Sequence, residues 1–181
     1  MTVAITNHQR VKKINLRRLK RITRALLAEL ELEKAEVGVN LVGAAEMTRL
    51  NETFLRHAGS TDVITFDYRD KTVGAAVRRL VNQKPAPEKK TATPYVVAYK
   101  EIHGEIFICV DEAIRQARKF GTSWQSEIVR YLVHGILHLL GFDDSSAGAR
   151  RRMKRAENRL LRRLAGRFSL AQLSRPSRIS A

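Results

Sequence analysis

Between Trp124 and about Leu140 the chain carries Ile128, Tyr131, Leu132, Val133, Ile136, Leu137, Leu139 and Leu140. At the helical period these side chains cover almost the whole circumference, and a helix that is apolar nearly all round must be enclosed by its neighbours. Whatever the fold, this segment runs through its centre. Thr122 or Ser123 is placed to cap its start, and Glu127 in the first turn complements the helix dipole.

The enclosing elements can be read from the pattern on either side. Val3 to Ile5 reads as a short strand. From about Asn15, Leu16, Leu19, Ile22, Leu26 and Leu30 recur at three- and four-residue steps, with Arg17, Arg18, Lys20, Arg21 and Arg24 mostly off that stripe, as in an amphipathic helix with a basic outer face. Val37 to Val42 reads as a strand, Ala44 to Leu55 as a helix, and Thr61 to Tyr68 as a strand bounded by Gly59-Ser60. Gly104 to Val110 reads as a buried strand with Cys109 an inert core residue, after which Asp111 is the expected N-cap of a helix to Phe120 that Gly121 ends. Ser145 or Ser146 starts a last helix with Met153, Ala156, Leu160 and Leu164 facing inward. After Gly166 a basic tail, 167–181, is expected to fray. The expectation is an α/β (α+β) fold: a single domain over 1–166, a mixed β-sheet covered by helices, with a central buried helix. An insertion at 69–100 contains a proline- and lysine-rich loop at 82–94, read as flexible.

A chain of 181 residues suffices for one domain with a real core. Its net charge of +16 is unevenly placed. Residues 1–30 hold eight Lys/Arg and one acid, residues 145–181 eleven and one, while 31–144 is close to neutral. Two concentrated basic blocks make a local positive field suited to a polyanion, so nucleic acid is the expected partner ahead of an anionic membrane surface. Phe168 is the sole aromatic near the C-terminal block, which favours phosphate contact over base stacking. A lone cysteine excludes an internal disulfide and fits a reducing, cytoplasmic setting with no disulfide-linked partner. No stretch approaches the roughly 18 apolar residues of a membrane span, and no membrane partner is expected.

The central helix contains His134-Gly135-Ile136-Leu137-His138, followed by Leu139-Leu140-Gly141-Phe142-Asp143-Asp144. Side chains four apart lie one above the other, so both imidazoles can face a single ion. Gly141 lets the chain reverse, which would bring Asp143 or Asp144 back as a third ligand. Two histidines on so apolar a helix need polar partners, and a metal serves both. Gly135 occupies the place that the general-base glutamate holds in an HExxH metallopeptidase, which disfavours peptide hydrolysis and is expected to leave room for a bulky substrate.

The segment HGILHLLGFDD resembles the HGxLHLxGxDH signature of the YbeY endoribonucleases, the bacterial rRNA maturation factors. Leu50-Asn51 and Phe54, ahead of Thr61-Asp62-Val63-Ile64-Thr65-Phe66, look like that family's LNxxY…PT(N/D)VLSF segment, and Gly104-Glu105-Ile106 like its GD(I/L) strand start. The resemblance spans roughly 35–165 without 69–100. It implies a metal-dependent, single-strand-specific endoribonuclease acting in small-subunit rRNA 3′-end maturation and ribosome quality control. Implied partners are rRNA, the small ribosomal subunit and assembly proteins such as the GTPase Era.

The third family histidine falls on Asp144, so the implied ligands of one divalent ion are His134, His138 and Asp144. Zinc is expected first, and the carboxylate, which makes the ion a weaker Lewis acid, admits manganese(II) or iron(II). The family's arginine falls on Leu55, with Arg56 one residue on. Arg56, His134 and His138 are the expected catalytic residues, and Arg17, Arg21, Arg151, Arg152 and Arg155 the expected RNA-binding ones. The competing reading is a ribosome-associated RNA-binding factor with weak or no nuclease activity.

Overall fold

The computed structural model describes residues 1–69 and 101–174. The expected insertion beyond Arg69, with its 82–94 loop, and the last seven residues lie outside the described residues.

The elements run β1 (Thr2–Asn7), α1 (Leu16–Glu29), β2 (Lys34–Val42), α2 (Ala44–Leu50) continuing into a π-helical turn (Asn51–Leu55), β3 (Val63–Asp67), β4 (Glu101–Cys109), α3 (Val110–Phe120), α4 (Trp124–Leu139), α5 (Ala147–Arg167) and a 3₁₀ turn (Leu170–Leu173). The sheet order is β1-β2-β4-β3: the first three strands are parallel, and β3 pairs antiparallel on β4. This is the expected mixed sheet.

Strand alternation decides which face is buried. Val37 and Val39 on β2 stand opposite Gly104 and Ile106 on β4, and this row, continued by Leu41 and Ile108, forms the main core with α1, α4 and α5. The opposite face is apolar only at one end, where Val42, Ile64 and Cys109 meet Met47 of α2. Burial raises the Cys109 thiol pKa, as an inert core cysteine requires.

The central helix packs on β4 through two reciprocal notches. A Cβ at Gly135 would stand 2.6 Å from Ile106 Cγ2, and one at Gly104 would stand 2.7 Å from Leu139 Cδ2. Each glycine receives the other element's side chain. The expectation that Gly135 leaves space for substrate is therefore corrected: Gly135 is buried, and its missing side chain is occupied by the sheet.

Other expectations need smaller corrections. Asp111 is not the N-cap of α3, because Val110 already begins the helix. Its Oδ2 instead accepts the Ala44 amide at 2.8 Å, serving α2, whose own N-cap Gly43 has no side chain to offer. Ser123 and Ser146 are the caps of α4 and α5. Of the tail expected to fray, the described part, 167–174, is docked instead. Phe168 and Leu173 are buried, the Asn15 amide donates to the Leu173 carbonyl at 2.8 Å, and Ile14 bridges Ser174. Enough apolar surface remains among those basic residues to seat the segment against α1.

Candidate metal centre

The helical spacing does what it implied: the His134 and His138 rings lie 4.6 Å apart between centroids, with their Nε2 atoms 3.0 Å from each other. Each Nδ1 has a partner that can only accept. For His138 it is the Phe142 carbonyl at 3.0 Å, and for His134 it is Glu157 Oε2 at 3.3 Å. Both Nδ1 atoms therefore carry the hydrogen, and both Nε2 atoms present lone pairs. Two lone pairs facing each other repel, and a cation between them converts that repulsion into ligation. Nitrogens about 2.0–2.1 Å from a tetrahedral zinc stand about 3.3 Å apart, close to the separation here.

Gly141, at φ 81°, turns the chain back after α4 and puts Asp144 Oδ2 4.0 Å from His134 Nε2. One ligand atom from each of His134, His138 and Asp144 lies within 4.8 Å of the others. Asp143 turns away, its carboxylate taken by the Ser145 amide and hydroxyl. Burial, and then the neighbouring His134, hold the His138 imidazole below its ordinary pKa, which keeps it neutral as a ligand must be.

Behind the histidines stands a buried carboxylate. Glu157, 3% exposed, accepts from His134 Nδ1 and, through Oε1, from Arg130 Nη1 and Lys154 Nζ, each at 2.7 Å. Burial alone would raise its pKa, but the bonds from His134, Lys154 and Arg130 outweigh that and hold it at about 2. Arg130 is held in turn by Glu127, which accepts from the Thr122 hydroxyl at 2.7 Å. The network continues from the loop before α4 to the ligand. A cavity of about 390 Å³ opens beside it, lined by Asp62, Arg130, Tyr131, His134, Asp144, Arg150, Met153, Lys154 and Glu157.

The expected site residues divide into groups. His134, His138 and Asp144 converge. Arg56 does not line the cavity; it is exposed, in the left-handed conformation (φ 57°), at the end of the π-helical turn. Arg17 and Arg21 line a groove of about 640 Å³ with Arg18, Asn15, Gln172 and Ser174. Arg151, Arg152 and Arg155 lie exposed along α5.

Glu157, Arg130, Lys154, Arg150 and Tyr131 escape the sequence reading. A signal for the first was present: Glu157 is the one acid in 145–181 and falls on the inward stripe with Met153, Leu160 and Leu164. On α4, Glu127, Tyr131, His134 and His138 recur at steps of three and four, so the polar atoms of that helix share one face.

Known proteins are similar to this chain in sequence and in fold. Residues 4–165 match the family model described as Endoribonuclease YbeY. The chain is 35% identical over 174 residues to a protein of that name from Acidothermus cellulolyticus, covering 92% of this chain and 97% of the relative. It is 29% identical over 162 residues to one from Chlorobium phaeovibrioides, covering 90% of each. In fold it is similar to the solution structure of TM1509 from Thermotoga maritima, with a TM-score of 0.58 over 99% of both chains at 21% identity.

Proposed function

The chain belongs to the endoribonuclease YbeY family, and from that premise we propose that it cleaves single-stranded RNA at the centre formed by His134, His138 and Asp144, in small-subunit rRNA 3′-end maturation and ribosome quality control. The observation that carries the reading is the pair of Nε2 atoms facing each other at 3.0 Å with both Nδ1 hydrogens committed elsewhere. Such a pair is suited to a cation.

A divalent ion held there, zinc first and manganese(II) or iron(II) by the carboxylate ligand, supplies Lewis acidity toward a phosphate oxygen and lowers the pKa of a water. The protein's own contribution is orientation. His134 and His138 hold their lone pairs inward because Glu157 and the Phe142 carbonyl fix the opposite nitrogens. Asp144 adds one negative charge, so the site with a divalent ion keeps a net positive charge for a phosphodiester. Arg56 is the family-implied residue for charge developing on phosphorus, and it would have to reach the cleft from outside the cavity wall. Arg17, Arg21, Arg151, Arg152 and Arg155 hold the RNA backbone, giving affinity without sequence choice. The setting is the cytoplasm, with the small subunit's rRNA and assembly proteins such as the GTPase Era as partners. No described helix is long and apolar enough to cross a membrane.

Single-stranded rRNA precursor and denatured casein, each incubated with the protein with and without chelator, test this. RNA cleavage that chelator abolishes is expected. Chelator-sensitive casein cleavage with intact RNA would overturn the reading.

A further inference from the structure

Besides Asp62, the cavity beside the three ligands holds two polar groups that the reaction as described does not use. Tyr131 is only 4% exposed, it lines the cavity, and its hydroxyl has no hydrogen-bond partner among the described residues. A buried hydroxyl left in that state costs the folded protein stability unless a ligand meets it. The second group is Arg150. Of the three cations that line the cavity, Arg130 is taken up by Glu127 and Glu157, and Lys154 by Glu157. Arg150 makes no ion pair among the described residues. Its Nε donates to the Asp144 carbonyl at 3.2 Å, which anchors the guanidinium to the ligand loop and leaves the Nη atoms without a partner among those residues.

We propose that this cavity seats the phosphodiester of single-stranded RNA next to the metal ligands, with Arg150 gripping non-bridging oxygens and the Tyr131 hydroxyl donating to the same nucleotide. The assignment rests on the endoribonuclease reading and deepens it by supplying the guanidinium that Arg56, outside the cavity, does not supply there. Geometry favours an anion on two further grounds. Arg150 lies in the first turn of α5, whose N-terminal amides and dipole attract negative charge. A guanidinium also offers a planar fork that matches two phosphate oxygens.

The experiment uses the full chain and a short fluorescent single-stranded oligoribonucleotide. Binding is followed by anisotropy in chelator, and cleavage is followed separately with zinc. Arg150→Gln is compared with Arg118→Gln, which makes the same charge change on the exposed end of α3. We expect Arg150→Gln to lose about tenfold in binding relative to that control, with part recovered in Arg150→Lys, and kcat to fall at full zinc occupancy. Tyr131→Phe should raise Tm, because the orphaned hydroxyl is gone, while weakening RNA binding severalfold. A hydroxyl with a merely structural role would leave binding unmoved. Either variant binding RNA as tightly as the Arg118→Gln control overturns the assignment. Failure of wild-type protein to cleave RNA with zinc would instead strike the endoribonuclease reading, and the binding arm in chelator would still decide the cavity's occupant.

Discussion

Nδ1 of His134 lies 3.3 Å from Oε2 of Glu157, a carboxylate contributed by a different helix and 3% exposed. Held this way, His134 needs no rearrangement to present Nε2 to an ion. Removing the acceptor's charge while keeping its shape, in Glu157→Gln, should lower zinc affinity about 10- to 100-fold. Competition with a chromophoric chelator measures this directly. An affinity equal to wild type would mean the carboxylate merely neutralises Arg130 and Lys154.

The same carboxylate gives the metal-free protein a defined acid sensitivity. Glu157 titrates at about 2 in the folded chain against 4.5 for a free glutamate, so on acidification the unfolded state takes up the proton first. Its contribution to stability is complete above about pH 5 and is lost as pH falls from there toward 2. Urea midpoints for wild type and Glu157→Gln, taken in chelator at steps from pH 7 to pH 3, should converge as pH falls. A gap that stays constant would show that this ionisation is not linked to folding.

Gly135 offers a test of the helix–sheet contact. Alanine is ordinarily favoured over glycine in a helix by about 1 kcal/mol. Here the new Cβ would meet Ile106 Cγ2 at 2.6 Å, and overpacking of this kind costs about 1–3 kcal/mol. Gly135→Ala should therefore be less stable than wild type, with Tm lower by several degrees. Adding Ile106→Ala should cost less than the two single changes summed, because the clash disappears with the side chain. Simple additivity would show that the helix shifts without strain.

How far the sequence carries the reader depends on the range of each interaction. The central helix, its histidine pair and the turn at Gly141 are local patterns, legible from periodicity and from glycine chemistry. Which aspartate returns to the histidines is open on residues alone, because both follow the same turn. It is settled in three dimensions by the Ser145 amide and hydroxyl, which occupy Asp143. Glu157 lies 23 residues from His134, and its role exists only once α5 packs on α4. The expected cap at Asp111 fails for the same reason, since its partner amide at Ala44 is 67 residues away. Phe168 and Leu173 are hidden among arginines because charge counts register the surface of a segment and not the face it buries.

The division of labour between the two aspartates is testable. Asp144→Ala should weaken zinc binding strongly by removing a ligand, while Asp144→His should retain or strengthen it by replacing an anionic oxygen with an imidazole. Asp143→Ala should leave zinc affinity close to wild type, costing at most the turn at Ser145. Isothermal titration of the metal-free proteins separates these outcomes. Equal losses at Asp143 and Asp144 would mean that the loop shifts on binding and that Asp144 is not the sole carboxylate ligand.

Arg151, Arg152 and Arg155 are exposed on α5, and α5 is the helix that also supplies Glu157 and Arg150 to the centre. RNA lying along that helix would pass the metal ligands, so these arginines should act on affinity and not on the chemical step. Reversing all three to glutamate should weaken single-stranded RNA binding and flatten its salt dependence. The log–log slope should fall by about 0.7 for each phosphate that the protein no longer neutralises. Because long-range attraction also falls when charge is reversed, the same triple change made at Arg159, Arg162 and Arg163, farther along α5, serves as the comparison. A slope reduced equally by both sets would indicate diffuse attraction to the whole basic helix. A slope reduced mainly by the first set would place the RNA backbone on the turns of α5 nearest Asp144.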